Sequence, residues 1–170
     1  MENTININLL QICQFIAVLF TGLLAGLFYG YDCSIIKGLG NLQNDVYVQS
    51  FQSINKVIQN PYFFVSFMGS LLVLPVASWL SYNNFNTTTF YLLLSASLVY
   101  FIGVFGVTVF GNVPLNEQLA VFNISKATEI EISEMRKIFE STWNKYHAIR
   151  TVASIISFCL TILSLLKQKI

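Results

Sequence analysis

The sequence predicts an all-α protein, a bundle of four transmembrane helices, and three observations carry that expectation. Of its residues 55% are hydrophobic and only 10% charged, where a soluble domain carries about 25% charged residues. Residues 9–31, 61–82, 90–110 and 148–166 are apolar stretches, each long enough as a helix to cross a hydrocarbon core of roughly 30 Å. The polar segments between them repeat their apolar residues at helical spacing, which gives an amphipathic helix between the first two spans and a charged helix leading into the fourth. Residues 1–170 read as a single four-span membrane domain.

In the first span Gln11, Gln14 and Thr21 are the strongly polar interruptions, and Gly22, Gly26 and Gly30 form a small-residue ladder. Such a ladder lets another helix approach closely, here within the chain's own bundle in preference to a dimer. The leading residues carry no lysine or arginine, so the span is expected to be a retained helix and not a secretory signal. In the following connection Tyr47, Phe51, Ile54 and Ile58 mark one apolar face. Pro61 after Asn60 opens the second span, and Pro75 is expected to kink it. Trp79 and Tyr82 sit at its far end as aromatic belt residues. Residues 83–88 are a short turn. The third span is expected to stop near Phe110, because Pro114 and the residue before it resist helical continuation. Thr128 with Glu131 reads as a capping box for the charged helix, whose apolar stripe is Ile132, Met135, Phe139, Trp143 and Tyr146.

Composition also excludes function classes. A net charge of +1 without a basic cluster excludes a nucleic-acid partner. Cys13, Cys33 and Cys159 are odd in number and lack CxxC spacing, so neither a disulfide framework nor a zinc site is expected. His147 is the single histidine. The one donor set left for a metal is His147 with carboxylates, and the expectation is no metal and no cofactor.

The polar side chains converge. Four spans place Asp32, Asn60, Asn112, His147 and Arg150 at span ends on one membrane face, with Asn116 just beyond. Trp143, His147 and Arg150 are spaced i, i+4, i+7 and share one face of a helix. A cation in the first turn of a span needs a partner, and Asp32, Asn60, Asn112 and Asn116 are the acceptors expected to reach Arg150. Bundles place ligand sites between helices at such a mouth. Lys37, Lys56, Lys126, Arg136, Lys137, Lys145 and Arg150 lie on that face, against Lys167 and Lys169 on the other. The positive-inside rule then puts the mouth in the cytoplasm and both termini outside a cell membrane crossed several times.

Several local runs carry a family resemblance. They are Phe28-Tyr29-Gly30-Tyr31, Ile54-Asn55 followed by Asn60-Pro61, Gly111-Asn112-Val113-Pro114-Leu115-Asn116, and Trp143 with Tyr146-His147 and Arg150-Thr151. Over most of its length the chain resembles the anthrone-oxygenase-like integral membrane proteins, a family known in bacteria as a domain of unknown function. The position of His147 is often asparagine in that family. The resemblance implies four membrane helices and, from its fungal members, oxidation of anthrones to anthraquinones by molecular oxygen without an obvious cofactor.

Two functions follow as expectations. The first is an oxidoreductase binding a flat lipophilic phenol, anthrone or quinone at the cytoplasmic mouth. There His147 is the general base, Arg150 with Asn112 and Asn116 steadies the anion, and Trp143 and Tyr146 stack on the rings; Asp32, Asn55 and Asn60 complete the binding set. The second is a non-catalytic accessory subunit or ligand-binding module of a membrane complex, which stoichiometric partner proteins would favour, whereas a monomer or homo-oligomer holding a small aromatic ligand would favour the first. A transporter ranks third, since no inverted repeat occurs.

Overall fold

The computed structural model describes residues 8–84 and 86–167. Phe85 of the expected turn and Lys169 of the expected charge balance lie outside the described residues. Among the described residues the regular elements are all helical. They are α1 Leu9–Gly40, α2 Asn44–Val57, α3 Pro61–Asn83, α4 Thr87–Val121 and α5 Glu129–Leu166. α1, α3, α4 and α5 are each long and apolar enough to cross a membrane, and the chain is a multi-pass membrane protein.

Helix starts are set by side chains that accept otherwise unpaired N–H groups. Asn8 and Gln11 form a reciprocal capping box on α1, and Thr128 and Glu131 form the expected one on α5. Asn60 accepts from the Phe63 N–H with Pro61 in the first turn of α3, and Asn86 accepts from the Thr89 N–H of α4.

α1 packs against α3 and α5, and α4 packs against the same two, so successive spans alternate in direction around a square. The apolar core holds Leu24 and Phe28 from α1, Phe67 and Leu74 from α3, Tyr100 and Val104 from α4, and Ala153 from α5. Small polar residues fill the seams. Thr151, Ser154, Ser157, Thr161 and Ser164 form one buried stripe of α5. Ser157 donates across to the Ala96 carbonyl at 3.0 Å, Tyr100 donates to the Phe67 carbonyl at 2.7 Å, and Gln14 donates to Ser164 at 3.2 Å. In a lipid core such interhelical hydrogen bonds and close contacts hold helices together, because hydrophobic burial distinguishes little between lipid and protein. Gly103 is one such close approach: a Cβ there would lie 2.6 Å from the Ala153 Cβ. The glycine ladder divides. Gly22 faces Phe158 inside the bundle, whereas Gly26 and Gly30 have no atom within 4 Å of where a Cβ would stand.

Beyond the spans, α2, both helix ends and the first half of α5 form a headpiece around Tyr47, Val48, Phe51, Leu119, Ile132, Phe139 and Trp143. Arg136 of α5 ties it to α1. Its guanidinium donates to the Gly40 and Leu42 carbonyls, each at 2.7 Å, to Asn44 Oδ1 at 3.1 Å, and to Glu140 at 2.8 Å. A cation there satisfies carbonyls that the helix end leaves open. Gln52 of α2 does the same for α4, donating to the Leu119 and Phe122 carbonyls at 2.8 and 2.9 Å. The Tyr47 hydroxyl is buried without a hydrogen-bond partner, and burial pushes its phenol above the ordinary range.

Two expected boundaries are corrected. α1 does not stop at Tyr31 but runs through Asp32 to Gly40, crossing a widened turn at Tyr31–Ile35 in which the Ile36 N–H donates five residues back to the Tyr31 carbonyl. α4 does not stop at Phe110 but passes Pro114 and ends at Val121. Two widened stretches, Tyr100–Gly106 and Thr108–Asn112, precede that proline. Their i→i+5 bonding reshapes the backbone ahead of the ring, easing its clash and its missing donor. The amphipathic face of α2 buries Tyr47, Val48, Phe51 and Asn55, with Ile54 and Ile58 only partly covered.

Candidate functional site

Unbroken helix from Glu129 to Leu166 puts Trp143, His147 and Arg150 on one face, and the bundle buries all three, at 2%, 0% and 8% exposure. The Trp143 and His147 rings stack with centroids 4.9 Å apart and an 8° interplanar angle. Phe28 and Tyr31 of α1 close the other side of the imidazole, at 5.7 and 5.6 Å. Arg150 lies over the Phe28 and Trp143 rings, 4.6 and 5.0 Å from their centroids.

Hydrogen bonds fix the imidazole. Arg150 donates to its Nδ1 from Nε at 3.1 Å and from Nη2 at 2.8 Å. A ring that accepts at Nδ1 carries its proton on Nε2, and Nε2 lies 3.2 Å from the Phe28 carbonyl and 3.6 Å from Asp32 Oδ1. That carbonyl lies just ahead of the widened turn Tyr31–Ile35, where the regular ladder of α1 is interrupted. Arg150 does face the bundle interior as expected, but its partner is His147, not Asp32, Asn60, Asn112 or Asn116. The nearest lone pair sits one turn back on its own helix. Among the described residues no carboxylate lies within ion-pair distance of Arg150. Its charge is met by two aromatic faces and an imidazole.

A cavity of about 680 Å³ opens onto this group. Its walls come from all five helices: Leu27, Phe28 and Tyr31 of α1, Asn55 and Gln59 of α2, Phe63 and Phe67 of α3, Thr108 and Asn116 of α4, and Trp143, His147 and Arg150 of α5. The volume lies within the range of small-molecule sites, about 300–1,000 Å³. A second hollow of about 620 Å³, bounded by Leu74, Pro75, Trp79 and Phe101, lies farther along α3 and α4 and has no charged side chain in its walls.

Five of the expected site residues line the first cavity: Asn55, Asn116, Trp143, His147 and Arg150. The Asn55 Nδ2 is buried and has no partner. Asn116 Oδ1 accepts from the Trp143 indole N–H at 2.8 Å. The other four lie elsewhere. Asp32 stands behind the wall beside His147. Asn60 caps α3, with its own amide donating to the Val57 carbonyl. Asn112 is fully buried and donates to the Trp143 carbonyl at 3.2 Å, its Oδ1 unpartnered. Tyr146 packs its ring against Gly111. Phe28, Tyr31, Phe63, Phe67, Lys56 and Glu117 also line the cavity and were not among the expected site residues. The i, i+4 pair Phe63 and Phe67 was the available signal, but aromatic residues facing lipid and aromatic residues facing a cavity look alike in sequence.

A protein-family model described as anthrone oxygenase matches residues 63–160, more than half of the chain. The matched stretch holds the cavity walls of α3, α4 and α5, including Asn116, Trp143, His147 and Arg150, and leaves out those of α1 and α2. No curated protein and no solved structure matches the chain.

Proposed function

The chain belongs to the anthrone oxygenase family, and from that premise we propose that it oxygenates a flat, lipophilic phenol or anthrone in the cavity beneath Trp143. The observation that carries the reading is Arg150, a buried cation lining the cavity with, among the described residues, no carboxylate within ion-pair distance. An anion formed in the cavity supplies the missing countercharge.

The chemistry follows from the hydrogen bonds. In the resting arrangement the basic lone pair of His147 is covered by Arg150. A ligand oxygen that draws the guanidinium onto itself uncovers Nδ1, so base and anion stabiliser are released together. Nδ1 takes a proton from the CH₂ carbon of the anthrone, and the electron pair moves to the carbonyl oxygen, which Arg150 holds. Asn116 and the unpartnered amide of Asn55 offer further donors, and Trp143, stacked on His147, holds the imidazole in the cavity wall. The electron-rich carbanion passes one electron to molecular oxygen, and the radical pair joins at the same carbon as a hydroperoxide. Proton return and loss of water leave the second carbonyl. One oxygen atom enters the quinone and the other leaves as water, so four electrons go from carbon to one O₂. No resident cofactor is required, because the substrate anion is itself the reductant. Asp32, beside Nε2, steadies the imidazolium formed on the way.

The mouth faces the cytoplasm in this reading, with both termini outside. The test is oxygen uptake by purified protein with 1,8-dihydroxyanthrone. One O₂ per anthrone is expected, with at least a tenfold loss in Arg150→Gln and in His147→Ala. Retention of an aromatic ligand without oxygen uptake across a panel of anthrones and hydroquinones replaces the oxygenase by a non-catalytic binding module.

A further inference from the structure

The cavity has two unlike ends. Toward α2 its walls carry Gln52, Asn55, Lys56 and Gln59. Toward the bilayer they carry Phe64 and Met68 of α3 and Val109 and Val113 of α4. Each of these pairs is spaced i, i+4 and lies along one edge of its helix. All four side chains line the cavity and are also open to the outside, at 41%, 40%, 36% and 36% exposure. Contact between α3 and α4 is carried by Thr87–Val99 and Tyr100–Gly106, so past Gly106 the two helices part. Met68 follows Pro61 by seven residues, which places it about 10 Å into the span at 1.5 Å per residue. With the hydrocarbon core taken to begin at Pro61, where the apolar span starts, the gap between the helices opens at the depth of the acyl chains. Phe63 and Phe67, stacked at 5.1 Å and 19°, line the wall behind it.

We propose that the ligand enters sideways from the bilayer, through the gap bounded by Phe64, Met68, Val109 and Val113. The inference rests on the functional reading above and adds the source of the substrate: a lipophilic aromatic dissolved in the leaflet, its ionisable oxygen leading. An apolar rim gives a ring system an unbroken apolar path from lipid to cavity, and the aromatic wall of Phe63 and Phe67 receives it face-on. Water-soluble, charged versions of the same ring find no such path, because the rim offers them no hydrogen bond.

Trp143 reports on the site directly. The chain has two tryptophans, and Trp79→Phe leaves Trp143, at 2% exposure, as the single tryptophan, excited selectively at about 295 nm, the red edge of indole absorption. The variant is reconstituted in phosphatidylcholine vesicles and exposed either to 9,10-anthraquinone dissolved in the membrane or to anthraquinone-2,6-disulfonate in the buffer. The expected result is quenching of at least half the emission by the membrane quinone and none by the disulfonate. Narrowing the gap with Met68→Phe and Val109→Phe reduces quenching several-fold, and widening it with Met68→Ala and Val113→Ala speeds it, so a poorly folded narrow variant cannot imitate the effect. Equal quenching by the disulfonate, or equal quenching in the narrowed, widened and parent proteins, overturns the sideways route. If the route fails this way while oxygen uptake with 1,8-dihydroxyanthrone persists, the oxygenase reading stands without it. Absence of quenching by either quinone overturns the route together with the cavity as an aromatic site.

Discussion

Arg150 donates twice to one imidazole nitrogen, and that geometry makes its substitutions informative. Lysine keeps the charge but lacks the planar fork, so Arg150→Lys is expected to lower stability in detergent by about 1–2 kcal/mol in thermal unfolding. Arg150→Gln removes the cation as well and abolishes retention of an anionic aromatic. His147→Ala leaves the guanidinium buried without its acceptor and is expected to cost more than Arg150→Gln, while the double variant recovers part of the loss; a coupling energy of about 0.5–3 kcal/mol is the signature. If both Arg150 variants unfold and retain ligand like the parent, the group is not a site. Asn55→Ala removes an amide that bonds nothing within the protein, so its thermal midpoint stays near the parent's while ligand affinity falls about tenfold, equivalent to roughly 1.4 kcal/mol. The clustering of Trp143, His147 and Arg150 is legible in the sequence, since it needs only an unbroken helix. The partner of Arg150 is not. Asp32 and three asparagines at nearby span ends offered equally good acceptors on paper, and distance alone decided for His147. Asn60 shows the same limit: the side chain that caps a helix and the one that binds a ligand are the same amide.

At the scale of elements, α4 departs most from its sequence. A proline normally ends or kinks a helix, yet α4 passes Pro114 because the turns ahead of it are widened. Nothing in residues 100–112 announces i→i+5 bonding, which arises from how the backbone fits its neighbours and not from local preference. The close contact of α4 with α5 is testable at Gly103. Its neighbour there is the Ala153 Cβ, which has no rotamer to change, so Gly103→Ala must push the helices apart and is expected to cost about 1–3 kcal/mol in detergent unfolding. Gly111→Ala meets the Tyr146 Cγ 2.7 Å away, an atom that turning the ring does not move, and is expected to cost a similar amount. Arg136→Ala releases the Gly40 and Leu42 carbonyls. Limited proteolysis at residues 41–43 should then quicken while the thermal midpoint of the spans hardly moves.

The whole bundle is the most legible level. Runs of some twenty apolar residues have few alternatives to spanning, and residues 9–31, 61–82, 90–110 and 148–166 all fall within observed span helices. The seams between helices are less legible, because Ser157 and Thr161 mark them with no more than a hydroxyl each. Topology is checked by cysteine labelling in a Cys33→Ser background. Asn84→Cys and Gln49→Cys are expected to react from opposite faces, Asn84→Cys from outside intact cells. α5 has a further consequence. Its 38 residues make a rod of about 57 Å, of which roughly 30 Å suffices for the hydrocarbon core. The remainder is a lever arm anchored in the headpiece by Arg136, with the Trp143–Arg150 group at the fulcrum. Thinner or thicker bilayers change helix tilt, and a tilt of about 10° swings the Glu129 end of an arm of roughly 27 Å by nearly 5 Å. Lipid chain length is therefore expected to act on the cavity mechanically, and turnover measured in vesicles of stepped acyl length should pass through a maximum where the rod stands at its resting angle.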